Sequence, residues 1–481
     1  MHSAPDIHPE PPLVIDLDGT LLCSDLLLET GLAFVRAHPA RLPCVLLWLT
    51  HDQAKLEQAL AQATHLDVSR LPFDLEIIEL IEAERRKGRR IVLATTSHRT
   101  LAERVAEHLQ LFDEIIASDA DRNLSAERKE DVLVQRFGEG GFDYAGNAHE
   151  DLPVWRAARR SYVVNPEHRL ERLARQLDNL AAIIRSNRSS LRDWAKALRL
   201  HQWAKNLLIF VPLLAAHRLT EVALVGQGLL AFLLFGLCAS SVYLLNDLLD
   251  LGDDRHHATK RHRPFAAGRL SIRSGLIAIP TLLLAAFAGA LWFLPWAFAA
   301  VLAAYYALTL AYSLALKRRM VIDVIALASL YTLRIIAGSA ALAIPLSFWV
   351  LAFSMFMFLS LAIVKRYAEL RQAREKGHTD KTRGRGYYPS DLEMLASLGG
   401  SSGYVAVMVL ALYINDLSAT ALYHHPEVIW LACPLLLLWI TRVWMLTHRG
   451  QMHDDPVVFA IRDRTSLVIG ALFGLIFWIA T

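Results

Sequence analysis

The run Asn246-Asp-Leu-Leu-Asp-Leu-Gly-Asp-Asp254 places Asp247, Asp250 and Asp254 at i, i+3 and i+7. On a helix of 3.6 residues per turn these three carboxylates share one face. Side by side they repel one another and need a compensating cation. Oxygen-only ligands suit Mg2+, which keeps some of its waters and bridges to substrate phosphates. The residues that follow, Arg255-His-His-Ala-Thr-Lys260-Arg261-His-Arg263, are basic. Acids that hold Mg2+, with Lys and Arg directly beyond them, form a clamp for pyrophosphate. A solvated helix end and ordinary cytosolic charge explain the numbers of these residues but not their adjacency.

Three further charged clusters lie downstream. One is Tyr312-Ser-Leu-Ala-Leu-Lys317-Arg-Arg-Met-Val-Ile-Asp323, with Arg334 three turns beyond it. The second is Lys365-Arg366-Tyr367-Ala-Glu369, and the third is Asp454-Asp455-Pro with Arg462-Asp463-Arg464. Charges at membrane depth are costly unless they face a cavity, so these clusters imply one polar mouth. Near the N-terminus, Leu13-Val-Ile-Asp16-Leu-Asp18-Gly19-Thr20 reads as a buried strand ending in two acids and a glycine turn.

These groups need two different settings, and composition supplies them. The N-terminal part is rich in Arg, Glu and Asp, whereas beyond residue 205 long apolar runs alternate with short charged loops. With 50 basic against 47 acidic residues, the chain lacks the basic excess of a nucleic-acid binder. A bilayer core needs about 20 apolar residues of helix. Nine such segments are predicted, at 205–218, 222–246, 271–290, 293–315, 321–342, 346–364, 395–416, 427–446 and 465–481. Loops 247–270, 316–320, 365–394 and 447–464 carry the Lys and Arg residues, while the opposite connections hold only Arg218. The positive-inside rule puts the charged loops in the cytoplasm. The start, MHSAPDIHPEPP, has neither the basic nor the apolar region of a secretory leader. A multi-pass protein of the inner, cytoplasmic membrane with a cytosolic N-terminal domain is therefore expected. Residues 166–200 read as an amphipathic helix lying on the membrane surface. The expected domains are thus 1–165, a linker over 166–200, and a membrane domain over 201–481. The four cysteines have no metal or disulfide spacing.

NDLLDLGDD resembles the NDxxDxxxD motif of the UbiA superfamily of intramembrane prenyltransferases. The resemblance covers roughly 195–481 and implies an all-α bundle of nine spans. The ordered pieces Gln202-Trp203-Ala-Lys205-Asn206, NDLLDLGDDRHHATKRHRPFAAG, YSLALK, LRIIAGSAALAIPLSFW, KRYAEL and DDPVVFAIRDR look like the decaprenyl-phosphate phosphoribosyltransferase branch. That branch implies phosphoribosyl pyrophosphate as donor, a polyprenyl phosphate as acceptor and Mg2+ as cofactor. It assigns Asp247, Asp250 and Asp254 to Mg2+ and the donor diphosphate, with Asn246 steadying them. Lys205, Lys260, Arg261 and Arg263 would neutralise phosphates, and Lys317, Asp323, Lys365, Arg366 and Tyr367 would line the opposite wall. The alternative is an ordinary UbiA prenyltransferase, which moves a prenyl group from prenyl diphosphate to an aromatic or other acceptor. Such enzymes carry a second acid motif, and here the equivalent region has one acid, Asp323, among Lys317, Arg318 and Arg319. A transporter is disfavoured because its polar groups would sit near the midplane. A membrane-anchored regulatory sensor would not need nine spans.

The DxDGT run resembles the HAD superfamily, an α/β Rossmann-like phosphatase fold. That family implies Asp16 as nucleophile, Asp18 as acid/base and Mg2+ between them and the phosphate. Thr95, ending the strand Ile91-Val-Leu-Ala-Thr95, would bind phosphate, and Lys129 would neutralise its charge. The metal loop is Gly146-Asn147-Ala-His-Glu-Asp151, where the family's usual Asp is Asn147 and Asp151 is retained. Asn147 offers a carbonyl oxygen without a charge, so weaker metal binding is expected. Residues 24–80 would form a helical cap. Phosphoribosyl transfer leaves a 5-phosphate on lipid-linked ribose, which such a domain could remove.

Overall fold

The computed structural model describes residues 10–38, 41, 60, 63–64, 66–118, 124, 126–186, 189–377, 380, 385–416, 422–452 and 455–481. The chain divides into two compact units, Met1–Leu198 with Tyr243–Ile279, and Arg199–Val242 with Pro280–Thr481.

The first unit is built on an α/β domain. In chain order it runs β1 (Leu13–Ile15), α1 (Leu26–Ala37), α2 (Leu75–Arg86), β2 (Ile91–His98), α3 (Arg99–Leu109), β3 (Glu114–Ser118) and α4 (Ala126–Phe137). It continues with β4 (Asp143–Gly146), α5 (Leu152–Ala157), β5 (Arg160–Val164), α6 (His168–Ala174), β6 (Leu180–Ile184) and α7 (Leu191–Ala197). The strands form one parallel sheet in the order β3-β2-β1-β4-β5-β6. Strands covered on both faces read as unbroken apolar runs, as Leu13-Val-Ile does here. Leu13, Ile15 and Leu93 pack with Ile77 and Ile81 of α2 and Val105 of α3 on one face. Val14, Val92 and Tyr144 pack with Leu133 and Trp155 on the other. The strand order reverses between β1 and β4, and ligand sites of open α/β sheets lie beyond the carboxyl ends there. Asp16 follows β1 and Asn147 follows β4, so the topology itself brings them together.

The sheet extends past the expected boundary. Residues 166–200, predicted as one amphipathic helix, instead contain β6 between the short helices α6 and α7. The Asn179 Nδ2 amide donates to the carbonyls of Trp155 and Ala158, both at 2.6 Å, and this tether lays the apolar run after it along β5. The β-branched Ile183 and Ile184 favour that extended form. Of the expected cap, α1 is helical, and most of 39–65 lies outside the described residues.

The apolar helices are α8 (Val211–Ala215), α9 (Val222–Leu249), α10 (Leu251–His256), α11 (Ile272–Phe293), α12 (Trp296–Leu314), α13 (Ile322–Leu342) and α14 (Phe348–Glu375). They are followed by α15 (Leu392–Ile414), α16 (Ala432–His448), α17 (Pro456–Arg462) and α18 (Arg464–Ala480). Among the described residues, seven helices are long and apolar enough to cross a membrane, or eight if the bent α17–α18 pair is one span. That supports a bundle of seven or more spans and does not reach the predicted nine among the described residues. The first expected span is a 3-10 helix, Leu200–Phe210, followed by the five-residue α8, in place of a long α-helix. The last, 465–481, is the 17-residue α18, which meets α17 at an 81° bend at Asp463, whose carboxylate caps the Ser466 N–H at 2.8 Å and pairs with Arg442. α13 is the most buried of the apolar helices. Its Gly338 admits the Leu200–Phe210 segment, because a Cβ there would stand 2.0 Å from the Ile209 carbonyl oxygen.

One ion-pair cluster fixes the base of the sheet. Buried Arg89 donates to Asp143, to Glu84 at 2.9 Å and to the Pro11 carbonyl at 2.7 Å, and Asp143 also accepts from Arg159. Removing one partner of a buried pair costs about 3–5 kcal/mol. Arg89→Ala should lower N-terminal domain stability by an amount near the low end of that range, because Arg159 still serves Asp143. Urea unfolding of the purified full chain, followed by limited proteolysis of this domain, measures it. An unchanged midpoint would refute the expectation.

Candidate functional sites

At the head of the sheet, Asp16 sits beyond β1 and is buried. The Lys129 ammonium, from α4, donates to Asp16 Oδ1 at 2.8 Å, to the Tyr144 hydroxyl at 2.9 Å and to Asp151 Oδ1 at 3.3 Å. Thr20 Oγ1 stands within reach of both Asp16 Oδ2 (3.2 Å) and Asn147 Oδ1 (3.3 Å), so these two oxygens face one point. Asp18 accepts from Ser97 Oγ at 2.5 Å, from Thr95 Oγ1 at 3.5 Å and from the Leu26 N–H at 2.7 Å. Gly19 has φ +78°, and a Cβ there would stand 2.0 Å from Asn147 Nδ2. Glycine is required at that position on both counts.

Burial pushes the Asp16 carboxyl up to about 6 despite the neighbouring Lys129. Burial, with Asp25 nearby, pushes Asp18 up to about 7. Burial alone would lower Lys129, but Asp16 and Asp151 outweigh it and raise it. The pair at 16 and 18 thus offers a carboxylate and a proton-bearing acid close to neutrality. Asp151, expected as a metal ligand, is saturated. Its Oδ1 takes Tyr144 at 2.7 Å and Lys129, and its Oδ2 takes the backbone N–H groups of Asn147 and Ala148 at 3.1 Å each. It holds Lys129 and the loop in place. Asp16 and Asn147 remain as the side-chain oxygens that could hold a divalent ion, with one charge fewer than two carboxylates would bring.

The membrane acid motif lies in the same compact unit. Asp247 stands in the last turn of α9, next to the half-buried Asn246. The helix breaks at Asp250 (φ −96°, ψ 10°) before α10 resumes. The three carboxylates therefore do not share one continuous face. Asp247 and Asp254, each 2% exposed, converge on Arg263, whose Nη1 lies 3.0 Å from Asp247 Oδ1 and 2.7 Å from Asp254 Oδ2. Asp250 turns to Arg36 at 3.3 Å. Among the described residues no three His, Cys, Asp or Glu side chains are placed together to hold a metal. Burial pushes the Asp254 carboxyl up, against the pull of Arg263. Two buried carboxylates with one shared guanidinium are an oxygen-only donor set already organised around a positive charge, and they fit Mg2+. Lys260 and Arg261 are exposed on the 3-10 turn beyond.

The second unit gathers cations. Lys205, from the 3-10 helix, and Lys365, from α14, meet on Asp455 Oδ2 at 2.7 and 3.1 Å. The Tyr331 hydroxyl also donates to Asp455. Burial would raise Asp455, but the two ammonium groups outweigh it and hold the carboxyl well below its usual range. Arg334, buried in α13, donates to Asn206 Oδ1 at 3.2 Å and stacks on Phe235, Tyr305 and Tyr331. Asn206 is 1% exposed, and its Nδ2 has no hydrogen-bond partner among the described residues.

Asp323 and Arg366, expected on a substrate wall, are instead fully buried and paired with each other at 3.0 Å. Tyr312 donates to Asp323, and Arg385 joins through Tyr312 and Glu369. This is a charge-balanced lock around the start of α13. Tyr367 shares a hydrogen bond with His448 at 2.9 Å, and Lys317 lies half-buried on the 3-10 turn at 316–318. Sequence reasoning passed over Asn206, Tyr331, Tyr144 and Ser97 as site residues. Tyr144 alternates like any strand residue, and Asn206 had only its place beside Lys205 to mark it.

Residues 13–162 match the haloacid dehalogenase-like hydrolases, and residues 207–468 match the UbiA prenyltransferase family. The uncharacterized protein y4nM of Sinorhizobium fredii is 38% identical over 472 residues, covering 98% of this chain and 91% of that protein. Nodulation protein NoeC of Azorhizobium caulinodans is 39% identical over 287 residues, covering 59% of this chain and 92% of its own length. Decaprenyl-phosphate phosphoribosyltransferase of Mycobacterium tuberculosis is 32% identical over 291 residues, covering 60% of this chain and 91% of its own length. With its apolar helices and acid motif, the chain is a multi-pass membrane enzyme that carries an N-terminal HAD-like domain and belongs to the UbiA prenyltransferase family.

Proposed function

We propose that the chain transfers a phosphoribosyl group from phosphoribosyl pyrophosphate to a polyprenyl phosphate, and that the HAD-like domain then removes the 5-phosphate. The observation that carries the reading is the cationic centre of the second unit. Two ammonium groups share one carboxylate there, and the neighbouring buried Asn206 N–H has no acceptor among the described residues. Such a site wants the oxygens of a phosphate, and an unsatisfied buried donor costs about 1–3 kcal/mol until one arrives. A prenyl diphosphate joined to an aromatic acceptor would supply phosphate only on the donor. The 32% identity to a phosphoribosyltransferase supports the same reading.

In the transfer, an oxygen of the lipid phosphate attacks the anomeric carbon of the ribose. The bond from that carbon to pyrophosphate breaks, and pyrophosphate leaves with the electron pair. Asp247 and Asp254 would hold Mg2+, which neutralises charge on the leaving diphosphate. In the first unit Arg263 offers charge-assisted hydrogen bonds to phosphate oxygens, and in the second unit Lys205 and Lys365 do the same. In the HAD-like domain the Asp16 carboxylate attacks the phosphorus of the 5-phosphate while Asp18 gives its proton to the departing ribose oxygen. Water then releases the phosphate from Asp16. The N-terminal domain, joined to the basic loops, is assigned to the cytosolic side of the inner membrane.

Labelled phosphoribosyl pyrophosphate and labelled prenyl diphosphate, offered separately to membranes with polyprenyl phosphate, test the transfer. Label should pass from the first, and Lys205→Ala or Asp247→Ala should reduce it by about 100-fold or more. Label passing only from prenyl diphosphate would make the chain a prenyltransferase. Asp16→Asn should leave the 5-phosphorylated lipid to accumulate. In the wild type, phosphate release should fall above pH about 7, where Asp18 loses its proton, and below about 6, where Asp16 gains one. Equal product from Asp16→Asn would remove the phosphatase role. Arg263→Gln should lower the melting temperature in detergent with chelator present, and added Mg2+ should restore it. A loss that Mg2+ does not reverse would argue against a metal at Asp247 and Asp254.

A further inference from the structure

The helix α1 follows the Asp16–Asp18 motif directly, and its start is tied to that motif through the Leu26 N–H on Asp18. The same helix also grips the membrane acid motif. Glu29, in the first turn of α1, receives two hydrogen bonds from Arg255, Nη1 to Oε2 at 3.0 Å and Nη2 to Oε1 at 2.6 Å. Both side chains are buried, with 3% and 6% exposed. Ser24 donates to the same carboxylate, and the Arg255 Nε donates to the Ala266 carbonyl at 3.0 Å. Two turns along α1, Arg36 reaches the Leu249 carbonyl at 3.3 Å, Asp250 at 3.3 Å and Asp253. A cation at the carbonyl end of α9 also suits the helix dipole. Further on, Gly268 (φ +71°) closes the contact, since a Cβ there would stand 2.7 Å from that of Cys23.

The charges answer one another. Arg255 is the residue next to Asp254, and Asp254 is one of two buried carboxylates that share Arg263. A second unneutralised guanidinium beside them would compete with a divalent cation for the same oxygens. The bidentate bond to Glu29 directs Arg255 away from that role. We propose that Glu29 is a positioning residue of the transferase: it neutralises Arg255 and leaves Asp247 and Asp254 to a divalent cation. The proposal rests on the reading of those two aspartates as metal-holding. Its further consequence is that α1, whose first N–H is held by Asp18, sets the metal affinity of the transfer site.

The test is Mn2+ binding to the purified full chain, followed by electron paramagnetic resonance. The acid-motif site is defined as the binding lost in Asp247→Ala. Glu29→Gln should weaken that site about tenfold, the size expected for one uncompensated charge nearby. Arg255→Met alone, and Glu29→Gln with Arg255→Met, should stay within about twofold of wild type, because the competing charge has gone. Wild-type affinity in Glu29→Gln overturns the proposal, and so does equal weakening in the single and double variants. If Glu29→Gln does not fold, a weakened site in Arg255→Met overturns it by itself. Binding unchanged in Asp247→Ala would instead remove the metal reading beneath it.

Discussion

Carboxylates withdrawn from water must be given a cation, and most of what is distinctive in this chain follows from how that demand is met. At the end of the second hydrophobic helix of the sequence, Asp247 and Asp254 share the guanidinium of Arg263. At the head of the sheet, Asp16 and Asp151 share the ammonium of Lys129. In both places one fixed cation serves two buried acids. Each pairing leaves two carboxylates to one cation, a charge count that a divalent ion would complete.

The cationic centre at Asp455 inverts this arrangement. Two lysines share one acid, so the surplus is positive and suits a phosphate. The Asp323–Arg366 pair, by contrast, is balanced and fully buried, and it holds the start of α13. Buried charge is therefore not one signal. Its meaning depends on whether the count within the cluster closes.

The sequence made the elements legible where chemistry and periodicity coincided. The apolar run before Asp16 forms the expected strand, and the acid run after Asn246 lies at the end of the expected apolar helix. The reading of 166–200 failed because a helical periodicity in Arg, Leu and Glu outweighed a short apolar run that only the Asn179 tether turns into an edge strand. The first expected span differs because hydropathy does not distinguish a 3-10 segment from an α-helix. Among site residues, Asp247, Asp254, Arg263 and Lys205 could be found from motif and charge. Asp250 could not be separated from its neighbours, since the break in the helix that turns it toward Arg36 leaves no mark in an i, i+3, i+7 pattern. Glu29 carried no signal at all: its partner is more than two hundred residues away.

The crease at Gly268 and the buried Arg255 also bear on how the polypeptide could be divided. Nodulation protein NoeC is matched over 92% of its own length by 59% of this chain. In this chain the surface of the membrane acid motif around Arg255 is covered. Excised from its fusion, the membrane portion would present a glycine hollow and a loose guanidinium to solvent. Borrowing this membrane segment as an independent module would first require redesigning the face that the N-terminal portion now occupies.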